Sequence, residues 1–288
     1  MDSEKIHQIA ETLGIKANPA SVRPVAGGCI HEAFRVSFKD GTTVFVKQGS
    51  GPKAPMLRAE HLCLLRMSDT HSIRCPNPLA IIELKGNCIL ILEHLNLQPL
   101  HTDAAIRLGH QLATLHRQTT PTFGWDSHNF IGATPQDNTR ESNWATFFWK
   151  HRLLPQLKMA EHLIPSSRWN GLEKAFFQLM DGHTPQPSFL HGDLWGGNAA
   201  SIEGDQPVVF DPASYYGDRE TDIAFTHVFG GFSPGFYHAY QEAWPLPDDH
   251  SRRQTTYNLY HILNHLNLFG SGYLQSCHQA IESLLLHA

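Results

Sequence analysis

The sequence lacks the features that mark membrane, secreted and nucleic-acid-binding proteins. Its longest apolar stretch, Cys88–Leu92, is far shorter than the ~20 residues that a membrane-spanning helix needs. The amino terminus, Met1-Asp2-Ser3-Glu4, has neither the basic nor the apolar segment of a signal peptide. Its 27 acidic residues outnumber 22 basic ones, and no basic block stands out. We therefore expect a soluble, cytoplasmic protein that binds neither membrane nor nucleic acid.

Paired cysteines and clustered metal ligands are also missing from the sequence. Five cysteines, at positions 29, 63, 75, 88 and 277, include no Cys-x-x-Cys pair, so neither a disulfide framework nor a zinc knuckle is predicted. Twenty histidines are many, but they are scattered and form no His-Glu-x-x-His motif. A histidine-rich metal-binding protein is left as an alternative, and stoichiometric zinc in the purified protein would reveal it.

Hydrophobic periodicity divides the 288 residues into a strand-rich first third and a helical remainder. The first third is predicted to contain a short helix to Gly14, strands over 31–38 and 43–48, a helix over 56–67, and strands over 79–84 and 88–93. Helical spacing then covers 104–117, 144–163, 171–180 and 219–286, interrupted by a strand-like island over 188–210. Strands followed by helices favour an α+β protein with two lobes, residues 1–95 and 96–288.

The strand-like island contains the most distinctive residues, His191-Gly-Asp-Leu-Trp-Gly-Gly-Asn198 followed by Phe210-Asp211-Pro212. Four residues separate Asp193 from Asn198, which is the spacing of a kinase catalytic loop. There the aspartate orients the attacking hydroxyl and the asparagine holds magnesium, and a second aspartate after a strand holds it too. Either segment alone could be a capped turn. Both together, in this order, predict Asp193 as the base and Asn198 and Asp211 as magnesium ligands.

A lysine that holds nucleotide phosphates is expected on a strand of the small lobe. Val44-Phe45-Val46-Lys47 supplies one on the second strand of the predicted hairpin; the alternative is a solvated edge lysine. On the following helix, Glu60 lies four residues from both Met56 and Leu64, and hence on the apolar side. An inward-facing carboxylate needs a partner, so we predict a Lys47–Glu60 pair and prefer Glu60 to Glu83.

Other nucleotide contacts are predicted nearby in the small lobe. Gly27, Gly28 and Cys29 stand where a loop would cover the phosphates, because glycine lets backbone N–H groups approach phosphate oxygens. An ordinary hairpin turn is the alternative for this loop. Glu93 and Leu95, at the end of the last predicted strand, complete the predicted ATP site.

With these motifs, the sequence resembles the fructosamine kinase (ketosamine 3-kinase) family of the aminoglycoside- and choline-kinase-like phosphotransferases. The resemblance spans nearly the whole chain and includes Phe210-Asp-Pro-Ala-Ser-Tyr-Tyr-Gly217 and Phe123-Gly-Trp-Asp-Ser-His-Asn-Phe-Ile-Gly132. It implies a protein-kinase-like bilobal fold and transfer of the ATP γ-phosphate to the sugar 3-hydroxyl of a free or protein-linked ketosamine. It also implies that Asp193 is the base, that Asn198 and Asp211 bind Mg²⁺, and that Lys47 and Glu60 clamp ATP.

Several positions depart from protein kinases or carry predictions of their own. Gly192 replaces the arginine that reads a phosphorylated activation loop in many kinases, so we expect no such control. Trp195, Asn129 and Asp218 are candidate substrate-binding residues, although simple loop packing would also explain Trp195. We interpret Asp222 as structural, supporting a helix beneath the catalytic loop.

Cys29 is the candidate for redox chemistry, because an exposed thiol near cationic groups favours the thiolate. We hypothesise that it is oxidation-sensitive and can form an intermolecular disulfide in a protein that is otherwise a monomer. An inert small residue is the alternative. Three alternatives to the ketosamine kinase stay open: a related kinase for an aminoglycoside, choline or homoserine, a degenerate nucleotide-binding kinase, and the metal-binding protein.

Overall fold

A five-stranded antiparallel sheet forms the amino-terminal part of the computed structural model, which describes residues 1–25 and 30–286. Its strands are β1 (Pro19–Val25), β2 (Glu32–Phe38), β3 (Thr43–Ser50), β4 (Pro78–Leu84) and β5 (Asn87–Glu93), in the order β1-β2-β3-β5-β4. The predicted hairpin is confirmed as β2 and β3. Strand β1 was not predicted as a separate element. Gly27, Gly28 and Cys29 lie outside the described residues.

Side-chain alternation along β3 directs Lys47 toward the carboxy-terminal part of the molecule. Val44 and Val46 are buried in a core that also contains residues of helix α1 (Ser3–Thr12). Phe45 packs on the opposite side, against a second core. Because successive side chains of a strand point to opposite faces, Lys47 shares the face of Phe45.

That second core joins the two parts of the chain. Leu57 and Leu64 come from helix α2 (Ala54–Asp69), which extends two residues beyond the predicted 56–67 at each end. They cluster with Leu90 of β5 and with Leu108 and Leu112 of helix α3 (Thr102–His116). The predicted division at residue 95 therefore falls in the segment between β5 and α3, and an apolar core crosses it.

The carboxy-terminal part is mainly helical, as predicted. After α3, its helices are α4 (Trp144–Phe148), α5 (Leu154–Met159), α6 (Leu172–Leu179), α7 (Glu220–Thr226), α8 (Pro234–Ala243), α9 (His250–Phe269) and α10 (Leu274–Leu286). Short strand pairs lie between them: β6 (Asn129–Ile131) with β7 (Thr134–Gln136), β8 (Ser188–Phe189) with β11 (Tyr216–Gly217), and β9 (Ala199–Ile202) with β10 (Gln206–Val209). None of the described helices is both long enough and apolar enough to cross a membrane.

The single helix predicted over 144–163 is interrupted by a π-helical turn, Trp149–Leu153. Pro155 is the physical reason, since it has no N–H for the carbonyl of His151 and its ring crowds that turn. The guanidinium of Arg152 donates to this carbonyl instead, over 2.9 Å. The prediction had the helical spacing right and missed the local unwinding.

Candidate active site

Helix α7 fixes the start of the 191–198 loop through one carboxylate. Asp222 accepts the backbone N–H of His191 over 2.7 Å and that of Gly192 over 2.9 Å. The buried imidazole of His116 contacts the same carboxylate at 3.1 Å. From the sequence, Asp222 was interpreted as a structural residue that supports a helix beneath the catalytic loop; in the structure it lies on helix α7 and binds the backbone of the loop directly.

Gly192 is required by the path of the backbone. Its φ of +83° lies in the left-handed region, and a Cβ atom there would stand 2.2 Å from the carbonyl oxygen of Ala213. That close approach accompanies a bond from the Ala213 N–H to the carbonyl of His191, 2.9 Å long. The loop and the segment after Asp211 are thereby held side by side, at a position that a side chain would not fit.

Asp193 and Asn198 contact each other directly across the loop. The amide nitrogen of Asn198 donates to the backbone carbonyl of Asp193 over 2.8 Å and to its carboxylate over 3.0 Å. Burial, together with the negative charge of Asp211, raises the pKa of Asp193 well above its usual range, against the opposing hydrogen bond from Asn198. A raised pKa makes this carboxylate a better proton acceptor.

Asp211 reaches the same place from the end of β10. The N–H of Phe210 donates to the carbonyl of Asn198 over 3.1 Å, and His191 Nε2 contacts the carbonyl of Phe210 at 3.1 Å. Asp211 itself adopts a left-handed conformation, with φ of +56°. This is an uncommon choice for a residue other than glycine, and such strain is concentrated at functional sites.

Lys47 joins the two parts of the molecule at this point. Its ammonium lies 2.7 Å from Glu60 Oε1 and 2.6 Å from Asp211 Oδ1. Burial alone would lower the pKa of Lys47. The negative charges and hydrogen bonds of the two carboxylates outweigh this effect and raise the pKa. The predicted Lys47–Glu60 pair is observed, and Glu83 instead pairs with Arg58 on the surface, with both side chains half exposed.

The oxygen atoms left over at this site suit a magnesium ion. Among the described residues, no hydrogen bond uses the amide oxygen of Asn198 or the second carboxylate oxygen of Asp211. Carboxylate and amide oxygens are the ligands that hard divalent cations prefer. The donor set of these two residues therefore fits the predicted ion.

Two predicted substrate residues prove to be buried and fully engaged, which corrects those assignments. Asn129 is 2 % exposed; its amide donates to the carbonyl of Ser214 and accepts from Gln136 and Asn138, each over 2.8 Å. Asp218 is 1 % exposed. Its carboxylate contacts His183 Nε2 and the hydroxyl of Tyr257, both at 2.6 Å. The motif patterns gave the residue types but could not show which way the side chains point.

The side chain of Glu93 is likewise occupied within the protein. Both of its carboxylate oxygens accept from Nη2 of Arg74, over 2.6 and 2.5 Å, and Oε2 also accepts the N–H of Asn77 over 3.1 Å. The backbone N–H of Glu93 also has a partner in the protein, since it donates to the carbonyl of Asn77 over 2.9 Å. Leu95, two residues later, is half-buried in the segment that follows β5.

Trp195 lies between the predicted base and Asn198, half-buried. A Cβ atom on Gly197 would stand 2.3 Å from its ring, so the glycine gives the ring space to lie over the loop. Its other neighbour is Phe229, whose ring centroid is 5.5 Å away in an edge-to-face arrangement. Sequence reasoning missed Phe229; the Gly230–Gly231 pair that follows was the available sign of an unusual turn.

Comparisons with known proteins show which proteins this chain is similar to. The family model for fructosamine kinase matches residues 1–287. A protein of Synechocystis sp. named "Probable ketoamine kinase" is 39 % identical, with 96 % of this chain and 95 % of that protein covered. The chloroplastic protein-ribulosamine 3-kinase of Arabidopsis thaliana is 36 % identical, with 99 % and 89 % covered.

Solved structures share the fold. One from Thermobifida fusca, described as a "putative fructosamine-3-kinase", has a TM-score of 0.88 and 29 % identity, covering 99 % of this chain and 100 % of that one. Choline kinase from Streptococcus pneumoniae has a TM-score of 0.66 at 13 % identity, with 99 % of each chain covered, which establishes the fold alone. The architecture is that of the protein-kinase-like phosphotransferases, and the chain is a kinase. It belongs to the fructosamine kinase family.

Proposed function

We propose that this chain transfers the γ-phosphoryl group of ATP to the sugar 3-hydroxyl of a ketosamine, a fructosamine or ribulosamine. The observation that carries the proposal is the meeting of Asp193, Asn198, Asp211 and Lys47 in one site, through contacts of 2.6 to 3.1 Å. Three chain segments, drawn from both parts of the molecule, contribute to it. Family membership supports the acceptor class. A degenerate kinase would have little reason to keep this set together.

Asp193 acts as the base in this proposal. Its carboxylate accepts the proton of the acceptor hydroxyl as that oxygen bonds to the γ-phosphorus, and the bond from phosphorus to the departing ADP oxygen breaks. Asn198 donates to the same carboxylate, which fixes its direction. The protein thus contributes mainly positioning and charge.

Asn198 and Asp211 would hold Mg²⁺ through their remaining oxygen atoms. When bound, the ion neutralises charge on the phosphate oxygens. Lys47, held by Glu60 and Asp211, would hold the nucleotide phosphates from the sheet side. Gly27, Gly28, Cys29, Glu93 and Leu95 remain predicted nucleotide contacts.

An acceptor panel tests the proposal. The purified enzyme is given MgATP with a ribulosamine, a fructosamine, an aminoglycoside, choline or homoserine, and ADP release is measured. We expect turnover with a ketosamine and a product whose NMR spectrum places the phosphate on O3. Turnover confined to an aminoglycoside, choline or homoserine, or no acceptor-dependent ADP release, would refute the ketosamine assignment.

The predicted redox role of Cys29 is a separate matter. We keep it, with a monomeric, cytoplasmic enzyme, as part of the proposal. The buried Cys277 is the internal reference in a peroxide-labelling experiment read by mass spectrometry. Reaction of Cys29 no faster than Cys277 would rule the redox role out.

A further inference from the structure

Five aromatic side chains form a continuous surface beside the catalytic loop. We call this surface the aromatic wall; its members are Trp195, Phe229, His265, Phe269 and Tyr273. Neighbouring ring centroids lie between 4.9 and 6.5 Å apart. Phe229 and Phe269 are 44 % and 53 % exposed. Large rings on a protein surface mark sites of contact when they are contiguous.

The backbone holds Phe229 in this wall under strain. Its φ and ψ, +59° and 40°, are those of a left-handed helix, a conformation that is a genuine outlier for a bulky residue. Gly230 and Gly231 follow, both with positive φ. A strained residue persists only when its surroundings fix it, and such residues concentrate at ligand sites. The fold thus maintains an exposed ring here at a cost to stability.

The wall begins on the catalytic loop, at Trp195. Trp195 stands two residues after Asp193, and Phe229 lies edge-to-face with it at 5.5 Å. In a ketosamine, C3 carries the reacting hydroxyl and C1 carries the amine. When that hydroxyl meets Asp193, the amine is held close by, and its substituent must leave the site along a neighbouring surface. Through Trp195 the wall adjoins the loop that carries Asp193.

The wall is uncharged, and within the described part of the chain no arginine side chain stacks on one of its rings. Burial lowers the pKa of His265, outweighing the carbonyl of His261 that it contacts at 2.8 Å. The arginine–ring contacts among residues 1–25 and 30–286 fall on Phe147, Tyr215, Tyr240 and Trp244. No ion pair in the same ranges involves a wall residue.

We infer that the aromatic wall binds the positively charged amine of the acceptor and its substituent, with Phe229 as the central contact. This inference rests on the proposed function and deepens it. A secondary amine is protonated near neutral pH, and a cation over an aromatic face is attracted by the ring quadrupole. The wall selects acceptors whose sugar bears an amine over those whose sugar bears a neutral group.

The test compares two acceptors that differ in one atom. The fructosamine of butylamine is set against 1-O-butyl-fructose, in which an ether oxygen replaces the nitrogen. KM is measured for each, or the inhibition constant where turnover is slow. For Phe229→Ala we expect KM for the amine to rise roughly 2- to 30-fold, the worth of one cation–π contact. For the ether, KM or the inhibition constant should stay within about twofold of the wild-type value, and so should KM for ATP.

Controls separate this effect from damage to the fold. Phe177 on α6 is 39 % exposed. The two aromatic rings that it contacts belong to Trp149 and Phe176, which lie outside the aromatic wall. Phe177→Ala should leave the ratio of the two constants unchanged, and Phe229→Tyr should preserve it. Thermal unfolding reports the folded fraction. If Phe229→Ala does not fold, Tyr273→Leu makes the same test.

Each outcome decides one question. Wild-type turnover of the fructosamine tests the proposed function, and the ratio of constants in the variants tests the wall. An enzyme that phosphorylates the fructosamine but shows an unchanged ratio in Phe229→Ala overturns the wall alone. An equal rise for amine and ether also overturns it, because the contact would then be independent of charge.

Discussion

The ammonium of Lys47 lies between two carboxylates that belong to different parts of the chain. Glu60 comes from α2 and Asp211 from the segment after β10, at 2.7 and 2.6 Å. Glu60 pairs with Lys47 and takes no direct part in the proposed reaction. Its proposed effect is therefore to hold Lys47 in place. A nucleotide would then meet a lysine whose position is already fixed.

We predict that Glu60→Gln raises KM for ATP by roughly 10-fold or more, because a charge-assisted hydrogen bond to Lys47 is lost. KM for the acceptor should change little. Steady-state kinetics with each substrate varied in turn measure both. Glu83→Gln is the matched control, since Glu83 pairs with Arg58 on the surface and such pairs contribute little. Equal effects of the two substitutions would contradict the role given to Glu60.

At the residue scale, the sequence predicted those site residues whose spacing is set by chemistry. Spacing selected Asp193, Asn198 and Asp211, and a place on a strand selected Lys47; the structure places these four residues together. Asn129 and Asp218 were misassigned because each stands in a distinctive motif yet points into a buried polar network. Burial of a polar side chain depends on partners from distant segments, which one sequence does not show.

At the scale of elements, helix α7 supports the catalytic loop through a single carboxylate. Asp222 accepts two backbone N–H groups of the loop and contacts His116. Burial of Asp222 by itself would raise its pKa, but His116, the His191 imidazole and the N–H of Gly192 lower it instead. The charged form is therefore the one that the fold requires.

We predict that Asp222→Asn lowers both stability and turnover. The amide nitrogen of asparagine would face a backbone N–H, leaving a buried donor unpaired at a cost of about 1–3 kcal/mol. Displacement of the loop should lower kcat by up to ~10²-fold, with a smaller change in KM for ATP. Urea unfolding and steady-state kinetics measure these effects. Asp126→Asn, at a surface pair with Arg140, is the control; wild-type kcat in Asp222→Asn would refute the role.

Helix α9 contains a buried imidazole that links stability to pH. His261 stacks on Phe225 with ring centroids 3.6 Å apart, and burial lowers its pKa to about 3. The unfolded chain binds a proton near pH 6.5, while the folded chain stays neutral until about pH 3. The contribution of neutral, buried His261 to the free energy of unfolding is therefore complete above pH 6.5, and it is lost as the pH falls toward 3.

We predict that His261→Phe flattens this pH dependence. Across that window, one buried imidazole adds a slope of at most about 1.4 kcal/mol per pH unit to the free energy of unfolding. Urea unfolding at a series of pH values measures the slope for the wild type and the variant. His238→Phe, at an exposed position on α8, should leave the slope unchanged. An unaltered slope in His261→Phe would show that His261 titrates normally.

Helices and strands were predictable from the sequence where their hydrophobic periodicity extends over enough residues. The hairpin β2–β3 and helices α2, α3, α6 and α9 follow from strand or helix spacing. The three-residue strands β6 and β7 are too short to show alternation, so they were not predicted. The π-helical turn at 149–153 was not predicted, because the apolar residues keep a helical spacing through it.

At the scale of the whole molecule, the site exists because two parts of the chain share a core. Leu57 and Leu90 pack with Leu108 and Leu112, which sets β3 and α2 against the catalytic loop. Lys47 can then reach Asp211 over 2.6 Å, although 164 positions separate the two residues. Two lobes were predictable from the order of strands and helices; the contacts across them were not.

The most direct test of the account is the behaviour of Asp193→Asn. Single-turnover phosphoryl transfer to a fructosamine and Kd for MgATP are measured for the wild type, for Asp193→Asn and for Asp205→Asn, a matched change in the exposed turn before β10. We predict that Asp193→Asn slows transfer by roughly 10²–10⁴ and leaves Kd nearly unchanged, and that Asp205→Asn alters neither. Transfer at near the wild-type rate in Asp193→Asn would contradict the account.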